Sequence, residues 1–409
     1  MKILHTSDWH IGHKLYGKDR IEEHQYFFNW LTKVIQTENI DVLLVCGDIF
    51  DVGYPSNLAL KTYYQILKDL IKTKLRKVII TGGNHDFVST LEAPREILKV
   101  LNVSIVGGAS GNLSNEIIEI PDDRGKTEVV IAAVPFLREK DIRNPVAGES
   151  PNDRIKATKE GIVNHYRELA VLVEKYKESN IPVIATGHLY MQGSQLSESE
   201  RDIHLGNQAG VVASEFPTTF DYYALGHIHR AQTISEKPPV VYSGSPIALS
   251  YSEQNNNKSV RIIEIKDGKI SHEKMEIPQA RKLKSFKGKY DEVIKKVDAY
   301  TSNSFLHDWL ELNIEEAEYD PLLARASNNF TEDINAQHHN FEIIRHTLTF
   351  ANRNHSDYFR QDAGKSLSDM NESEVFEQLL EHQGVAEKEG LIHTFKALVE
   401  ILHSTEKIN

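Results

Sequence analysis

Cysteine is almost missing from this chain: Cys46 stands alone among 409 residues. A single thiol closes no internal disulfide, so the fold must rest on its core, as expected in a reducing, cytoplasmic setting. Long apolar runs are also missing. None approaches the roughly 20 residues that span a bilayer, which excludes a transmembrane helix. The amino terminus, Met1-Lys2-Ile3-Leu4-His5, enters a strand pattern directly, without the features of a secretion signal. A basic excess is lacking too. The chain carries 47 Lys/Arg against 59 Asp/Glu, a net charge of −12, which argues against binding nucleic acid by bulk electrostatics. The acidity is uneven, however. Residues 1–280 are close to balanced at −4, residues 281–296 carry +5, and residues 297–409 carry −13.

What remains is the composition of a globular protein, 40% hydrophobic and 26% charged, long enough for two or three domains. Through the first 250 residues one theme recurs: a short apolar run, a polar loop, then often a helical pattern. Runs at Met1–His5, Val42–Cys46, Val78–Ile80, Val129–Val134, Val183–Ala185, Tyr222–Leu225 and Val240–Tyr242 read as buried strands. Arg20–Glu38, Leu58–Thr73 and Asn164–Glu178 read as helices. The fold class is therefore α/β, a layered core of β-sheets covered by helices.

We place this first domain at residues 1–275. A small α/β capping domain follows at 276–350, entered through a basic connector at Lys282–Lys289. Residues 351–409 form a polar linker and a helical segment. In that segment Asn371 and Glu374 make a capping box. Two apolar stripes, Val375, Phe376, Leu379, Leu380 and then Leu391, Phe395, Leu398, Val399, Leu402, predict a helical hairpin that packs on itself or on a partner.

Five short motifs stand in order, each where a strand pattern ends: Asp8-Trp9-His10, Gly47-Asp48-Ile49-Phe50-Asp51, Gly83-Asn84-His85-Asp86, Gly187-His188 and Gly226-His227-Ile228-His229. Strand carboxyl ends are where open α/β sheets place ligands. Any one of these is an ordinary turn; the ordered set is not. Together they offer Asp8, His10, Asp48, Asn84, His188, His227 and His229 as metal ligands, too many for one ion and well matched to two ions sharing a carboxylate. Mixed imidazole, carboxylate and amide donors suit Mn²⁺, Fe²⁺ or Zn²⁺. Lys14, Tyr16, Lys18 and Arg20 form a basic loop beside the first ligands, placed to contact phosphates.

This set resembles the calcineurin-like metallophosphoesterases. More narrowly, the chain resembles the SbcD family, the nuclease subunits of bacterial SbcCD complexes. The resemblance is carried by Lys2-Ile3-Leu4-His5-Thr6-Ser7-Asp8-Trp9-His10-Ile11-Gly12, by Leu15-Tyr16-Gly17 and Arg20, by Gly47-Asp48-Ile49-Phe50-Asp51, and by Tyr242-Ser243-Gly244-Ser245-Pro246 with Leu249-Ser250-Tyr251. It covers about residues 1–265 strongly. It implies one metal, most naturally Mn²⁺, on Asp8, His10, Asp48 and His229, and a second on Asp48, Asn84, His188 and His227. It leaves His85 free as a catalytic acid, oriented by Asp86. The implied activity is two-metal hydrolysis of DNA at ends and hairpins, as a double-strand exonuclease and single-strand endonuclease. A coiled-coil ATPase like SbcC would be the partner, and the nuclease subunit would dimerise. Two rival readings are a phosphatase of small substrates or phosphoproteins on the same fold, and a non-catalytic tether of DNA ends.

Overall fold

The computed structural model describes residues 1–351, apart from 145, 147, 201–208, 319 and 338, together with scattered positions between 376 and 398. The chain divides into two compact units. One comprises Met1–Phe286, Tyr300–Leu312 and Ile334–Arg345; the other comprises Lys287–Ala299, Asn313–Asp333 and the chain from His346 onward.

Two six-stranded sheets form the heart of the first unit. In one, β1 (Lys2–Thr6), β4 (Val42–Cys46), β5 (Lys77–Thr81) and β6 (Val103–Val106) run parallel, and β13 (Ser259–Lys266) and β14 (Lys269–Glu276) extend it antiparallel beyond β1. In the other, β8 (Thr127–Ala132), β9 (Val183–His188), β10 (Tyr222–Gly226) and β12 (Pro239–Tyr242) are parallel. Antiparallel β7 (Ile117–Pro121) and β11 (Gln232–Glu236) close its edges.

Alternation along the strands sorts side chains into layers. Val42, Leu44 and Cys46 of β4 join Ile79, Ile131, Ile184, Tyr222 and Ala224 in a core between the sheets. Leu43 and Val45 point the other way, onto Phe27, Leu31 and Ile35 of α1 (Ile21–Thr37) and Tyr63, Ile66 and Leu70 of α2 (Asn57–Ile71). Ala185, Tyr223 and Leu225 likewise meet Ile162, Tyr166, Leu169 and Val173 of α6 (Pro151–Glu178). The result is a helix–sheet–sheet–helix sandwich, the covered α/β core that the sequence predicts. Helix α6 starts earlier than its apolar stripe suggests, because Ser150 caps it and Pro151 occupies its first turn. Short helices α3 (Val88–Glu92), α4 (Arg95–Val100) and α5 (Glu139–Ile142) fill connections, and the two-residue strands β2 (Lys14–Leu15) and β3 (Lys18–Asp19) form a small hairpin.

A third sheet orders β15 (Leu283–Gly288), β16 (Asp308–Glu316) and β17 (Phe341–Phe350), and the same stretch of chain carries α7 (Tyr290–Asp298) and α8 (Pro321–Ala336). The basic segment expected to be a connector is therefore a strand. It lies at the sheet edge, where lysines such as Lys284 and Lys287 oppose pairing with a further strand, so its charge hides its strand character. The terminal helical hairpin lies largely outside the described residues. Phe376 and Phe395, one from each predicted apolar stripe, are both helical and stack with ring centroids 4.1 Å apart.

The close approach of the two sheets at their carboxyl ends sets a strict demand at Gly226. A Cβ there would lie 1.9 Å from the Cys46 carbonyl oxygen and 2.9 Å from His188 Nδ1. Gly226→Ala is expected to cost about 1–3 kcal/mol by overpacking, read as a lower midpoint in thermal unfolding; an unchanged midpoint would mean that these strand ends do not touch.

Candidate metal centre

The parallel strands deliver the motifs to one edge of the sandwich. Asp8 and His10 follow β1, Asp48 follows β4, Asn84 and His85 follow β5, His188 ends β9, and His227 and His229 follow β10. The turns are tight: Asp8, His10, Asp48 and His227 all adopt positive φ, at 53°, 46°, 50° and 96°. Non-glycine residues are uncommon in that region and concentrate where function over-determines the backbone. Gly83 is equally constrained, since a Cβ on it would sit 2.1 Å from Asp48 Oδ1.

All seven expected ligands converge and are buried, apart from half-buried Asn84. On one side His188 Nε2 stands 3.0 Å from Asn84 Oδ1 and 3.3 Å from Asp48 Oδ2, and His227 Nδ1 is 3.2 Å from Asn84 Oδ1. On the other side His10 Nε2 is 3.2 Å from His229 Nε2 and 3.6 Å from Asp48 Oδ2. Ligand atoms of Asp8, His10 and His229, and separately of Asp8, Asp48 and His188, lie within 4.8 Å of one another. Asp48 Oδ2 thus faces both groups.

The hydrogen bonds behind these rings fix what they present. His188 Nδ1 must donate to the Cys46 carbonyl, 3.0 Å away, so in the neutral ring Nε2 turns a lone pair toward two oxygen acceptors. Burial works against a charge on His188. Asp48, through its charge and hydrogen bond, and Asp8 outweigh it, pushing its pKa up to about 9. His229 Nδ1 donates to Ser199 Oγ at 2.6 Å, and that hydroxyl in turn donates to Glu253, so His229 Nε2 also aims a lone pair at His10. Burial drives the His10 pKa down to about 3. His227 Nε2 is buried without a hydrogen-bond partner among the described residues, while His10 Nδ1 faces the Asp51 carboxylate at 3.4 Å. So many converging lone pairs require positive charge among them, and divalent cations fit that requirement.

Behind His229 lies an apparatus that the sequence did not announce. Glu253 and Lys258, both almost fully buried, form an ion pair; Lys258 Nζ also donates to Ser245 Oγ at 2.8 Å and to the His229 carbonyl at 3.2 Å. Glu200 Oε1 accepts from His229 N at 2.8 Å. Burial disfavours ionised Glu253, but Lys258 and His229 hold its carboxyl well below the usual range. The Tyr242-Ser243-Gly244-Ser245-Pro246 motif supplies two of the supports. Ser243 Oγ is 2.7 Å from Ser7 Oγ, which bonds Asp8 Oδ2 at 2.5 Å, and Ser245 meets Lys258.

Asp86 does not orient His85. Its carboxylate accepts backbone N–H groups from Gly83 at 2.9 Å, Phe50 at 3.0 Å and Ile49 at 3.1 Å, tying the Asp48 loop to the Asn84 loop. A carboxylate so occupied, its pKa raised to about 6 by burial and by Asp48, has a structural task. The ring of His85 instead donates from Nδ1 to the Asp51 carbonyl oxygen at 2.6 Å, with Nε2 3.9 Å from Asp48 Oδ2. Asp51 uses its side chain as well, 3.4 Å from His10 Nδ1 and 3.0 Å from His13 Nδ1. His10, His13, Lys14, Val52 and His85 line a cleft of about 350 Å³.

Of the loop residues expected at DNA, Lys14 is exposed at this cleft. Tyr16 is half-exposed, stacked on Tyr251 and covered by the Arg345 guanidinium, 4.4 Å from its ring centre. Lys18 pairs with Glu342 at 2.5 Å. Arg20 is a correction: it is 1% exposed, clamped by Glu23 and set 5.3 Å from the Trp309 ring, so it holds the interior together instead of meeting phosphate.

A helix–sheet–sheet–helix sandwich with these donors at its strand ends is a metallophosphoesterase, and residues 1–231 match the family model of the calcineurin-like phosphoesterases. Residues 279–384 match a second model, described as the type 5 capsule protein repressor C-terminal domain. The chain is 32% identical over 407 residues to the SbcD subunit of the nuclease SbcCD from Escherichia coli (strain K12), covering 98% of each. It is 33% identical over 277 residues to the SbcD subunit from Rhodobacter capsulatus, covering 66% of this chain and 67% of the relative. Against the SbcD subunit from Bacillus subtilis it is 30% identical over 274 residues, with the same coverage. The chain belongs to the SbcD family of nuclease subunits.

Exchanging Glu253 for Gln keeps the shape and removes the charge, stranding a buried ammonium. Loss of about 3–5 kcal/mol of stability is expected, together with about 10–100-fold weaker divalent-metal binding by calorimetry on the folded variant. Unaltered metal affinity would show that the pair has no hold on His229.

Proposed function

We propose that this chain is the metal-dependent nuclease subunit of an ATP-dependent SbcCD-type complex, hydrolysing phosphodiester bonds at DNA ends and hairpins. The observation that carries the reading is the meeting of two lone-pair clusters at one oxygen of Asp48, in a member of a nuclease family. Asp8, His10, Asp48 and His229 would hold one divalent ion, and Asp48, Asn84, His188 and His227 the other. The donor mixture suits Mn²⁺. Bound there, the ions supply Lewis acidity to the phosphodiester and to the attacking water. His85 holds a proton for the leaving oxygen, its ring fixed by the Asp51 carbonyl. Asp86 keeps the two loops that carry Asp48 and Asn84 in register. Lys14 steadies a neighbouring phosphate.

The partner is an SbcC-like coiled-coil ATPase, engaged by the helical segment within residues 351–409, after a nuclease domain at 1–275 and a capping domain at 276–350. With that partner the chain acts as a double-strand exonuclease and single-strand endonuclease in the cytoplasm. With Mn²⁺, the ATPase and a labelled DNA hairpin, cleavage is expected. His85→Leu should reduce it by about 10²–10⁴-fold while calorimetric Mn²⁺ binding persists. Full cleavage by that variant removes His85 from the chemistry, and an inert wild-type complex that turns over a phosphomonoester favours a phosphatase instead.

Homodimerisation is part of the reading. Ile71 from α2 and Val100 and Leu101 from the end of α4 line one surface depression with Leu75, and Ile97 and Val100 are 71% and 82% exposed. Such a patch asks for cover, and a second copy offers an identical apolar face. Val100→Asp, harmless to a monomer at so exposed a site, is expected to halve the mass found by sedimentation equilibrium; an unchanged dimer mass places self-association elsewhere.

A further inference from the structure

Two exposed aromatic rings, on the loops that bring Val52 and His85 to the cleft, have no assigned task. Tyr54 is 80% exposed and Phe87 44% exposed, and their rings meet edge to face, centroids 4.6 Å apart at 88°. Both belong to loops that carry the chemistry. Phe87 is two residues beyond His85, and Tyr54 is two beyond Val52, which lines the cleft. The backbone holding them is firmly built. Asp51 is tied to His10, His13 and His85, and the Gly53 carbonyl accepts from Thr90 Oγ1 at 3.2 Å. Gly53 itself passes so near the Phe87 ring that a Cβ would lie 2.7 Å from it. Phe87 anchors the first turn of α3, its carbonyl accepting from Thr90 and Leu91. These are exposed rings on a fixed backbone frame.

We infer that the Tyr54–Phe87 pair is a stacking platform for an unpaired nucleobase next to the scissile phosphate, so that the enzyme selects frayed, looped or single-stranded DNA. The inference deepens the nuclease reading and rests on it. Every base has a π-face, so an exposed ring binds single strands with little regard to sequence. Reach agrees. Tyr54 lies three positions beyond Asp51, at most about 10 Å of extended chain, close enough for a base beside the phosphate held at the cleft. A duplex keeps its bases stacked on one another and gains nothing from the pair. The pair is also separate from the apolar depression at Ile71. Helix α2 starts three residues after Tyr54 and runs 15 residues to Ile71, about 20 Å at roughly 1.5 Å per residue.

The test uses the full chain with Mn²⁺, a short single-stranded oligonucleotide carrying 2-aminopurine beside the cleavage position, and bis-p-nitrophenyl phosphate as a diester without bases. For the Tyr54→Ala, Phe87→Ala double variant, the ratio of kcat/KM on the oligonucleotide to that on the small diester is expected to fall about tenfold, through KM, with loss of the 2-aminopurine quench. Tyr54→Trp should keep both. An unchanged ratio and quench, with the wild type cleaving the oligonucleotide, overturns the platform and leaves the nuclease reading standing. A wild type that cleaves the small diester but no DNA overturns that reading and the platform with it. If the double variant instead sediments as a smaller species than the wild type, the pair is a self-association surface and the inference fails.

Discussion

Crowding of acceptors around one carboxylate governs this structure. His188, His10 and His229 turn ring nitrogens inward, Asn84 adds an amide oxygen, and Asp48 stands among them with Asp8 nearby, nearly all shut away from water. Without positive charge such an assembly is repulsive, and buried acceptors that face one another cost what any unsatisfied polar group costs. A proton on His188 offsets part of that repulsion, which is why its pKa is driven to about 9 against the pull of burial. On the other side burial opposes a charge on His229 but is outweighed by Glu253, Asp8 and Glu200, which raise its pKa. A proton there relieves part of the His10–His229 repulsion, yet protons leave the carboxylates between the rings without a shared partner. Divalent cations answer both sides, and the tight turns and forced glycines around the cluster are the cost of holding it ready.

The frame that bears this cost is the sandwich. Parallel strands covered on both faces leave only their ends free, and those of β1, β4, β5, β9 and β10 come together at one edge. The packed layers between the sheets fix where each strand stops. The loops beyond are then stitched to one another by the carboxylates of Asp86 and Asp51 and by the buried Glu253–Lys258 pair, not left to find their places. Buried ion pairs are a weak source of net stability, so this one is better understood as an orienting device for His229.

Much of the candidate site was legible because each motif is local: a glycine or a tight turn beside candidate ligands, repeated in order after apolar runs. The layered α/β core was legible for the same reason, through the alternation of buried strands and amphipathic helices. What the sequence hid depends on partners far along the chain. Arg20 looks like a basic loop residue until Trp309, nearly 290 positions later, is found beside its guanidinium. Asp86 adjoins His85 in sequence, yet its carboxylate spans to the backbone of Ile49 and Phe50, while the true holder of the His85 ring is a backbone carbonyl, which no side-chain pattern can announce. Glu253 and Lys258 carry no periodic signal, and only their burial reveals them. The lysines of β15 imitated a linker because an edge strand is charged on purpose.

Asp51 shows how the parts are coupled. Its carboxylate lies beside His10 Nδ1, on the side of that ring away from His229, and its carbonyl holds the ring of His85. A shift of that one residue would move the His10 and His85 rings together. Their relative placement is therefore set within a single peptide unit and does not depend on the two loops agreeing by chance. Transition-state stabilisation requires such fixed distances between charge and proton donor. The same loop continues through Gly53 to the exposed Tyr54, so that position is tied by the backbone to the residue that touches both His10 and His85.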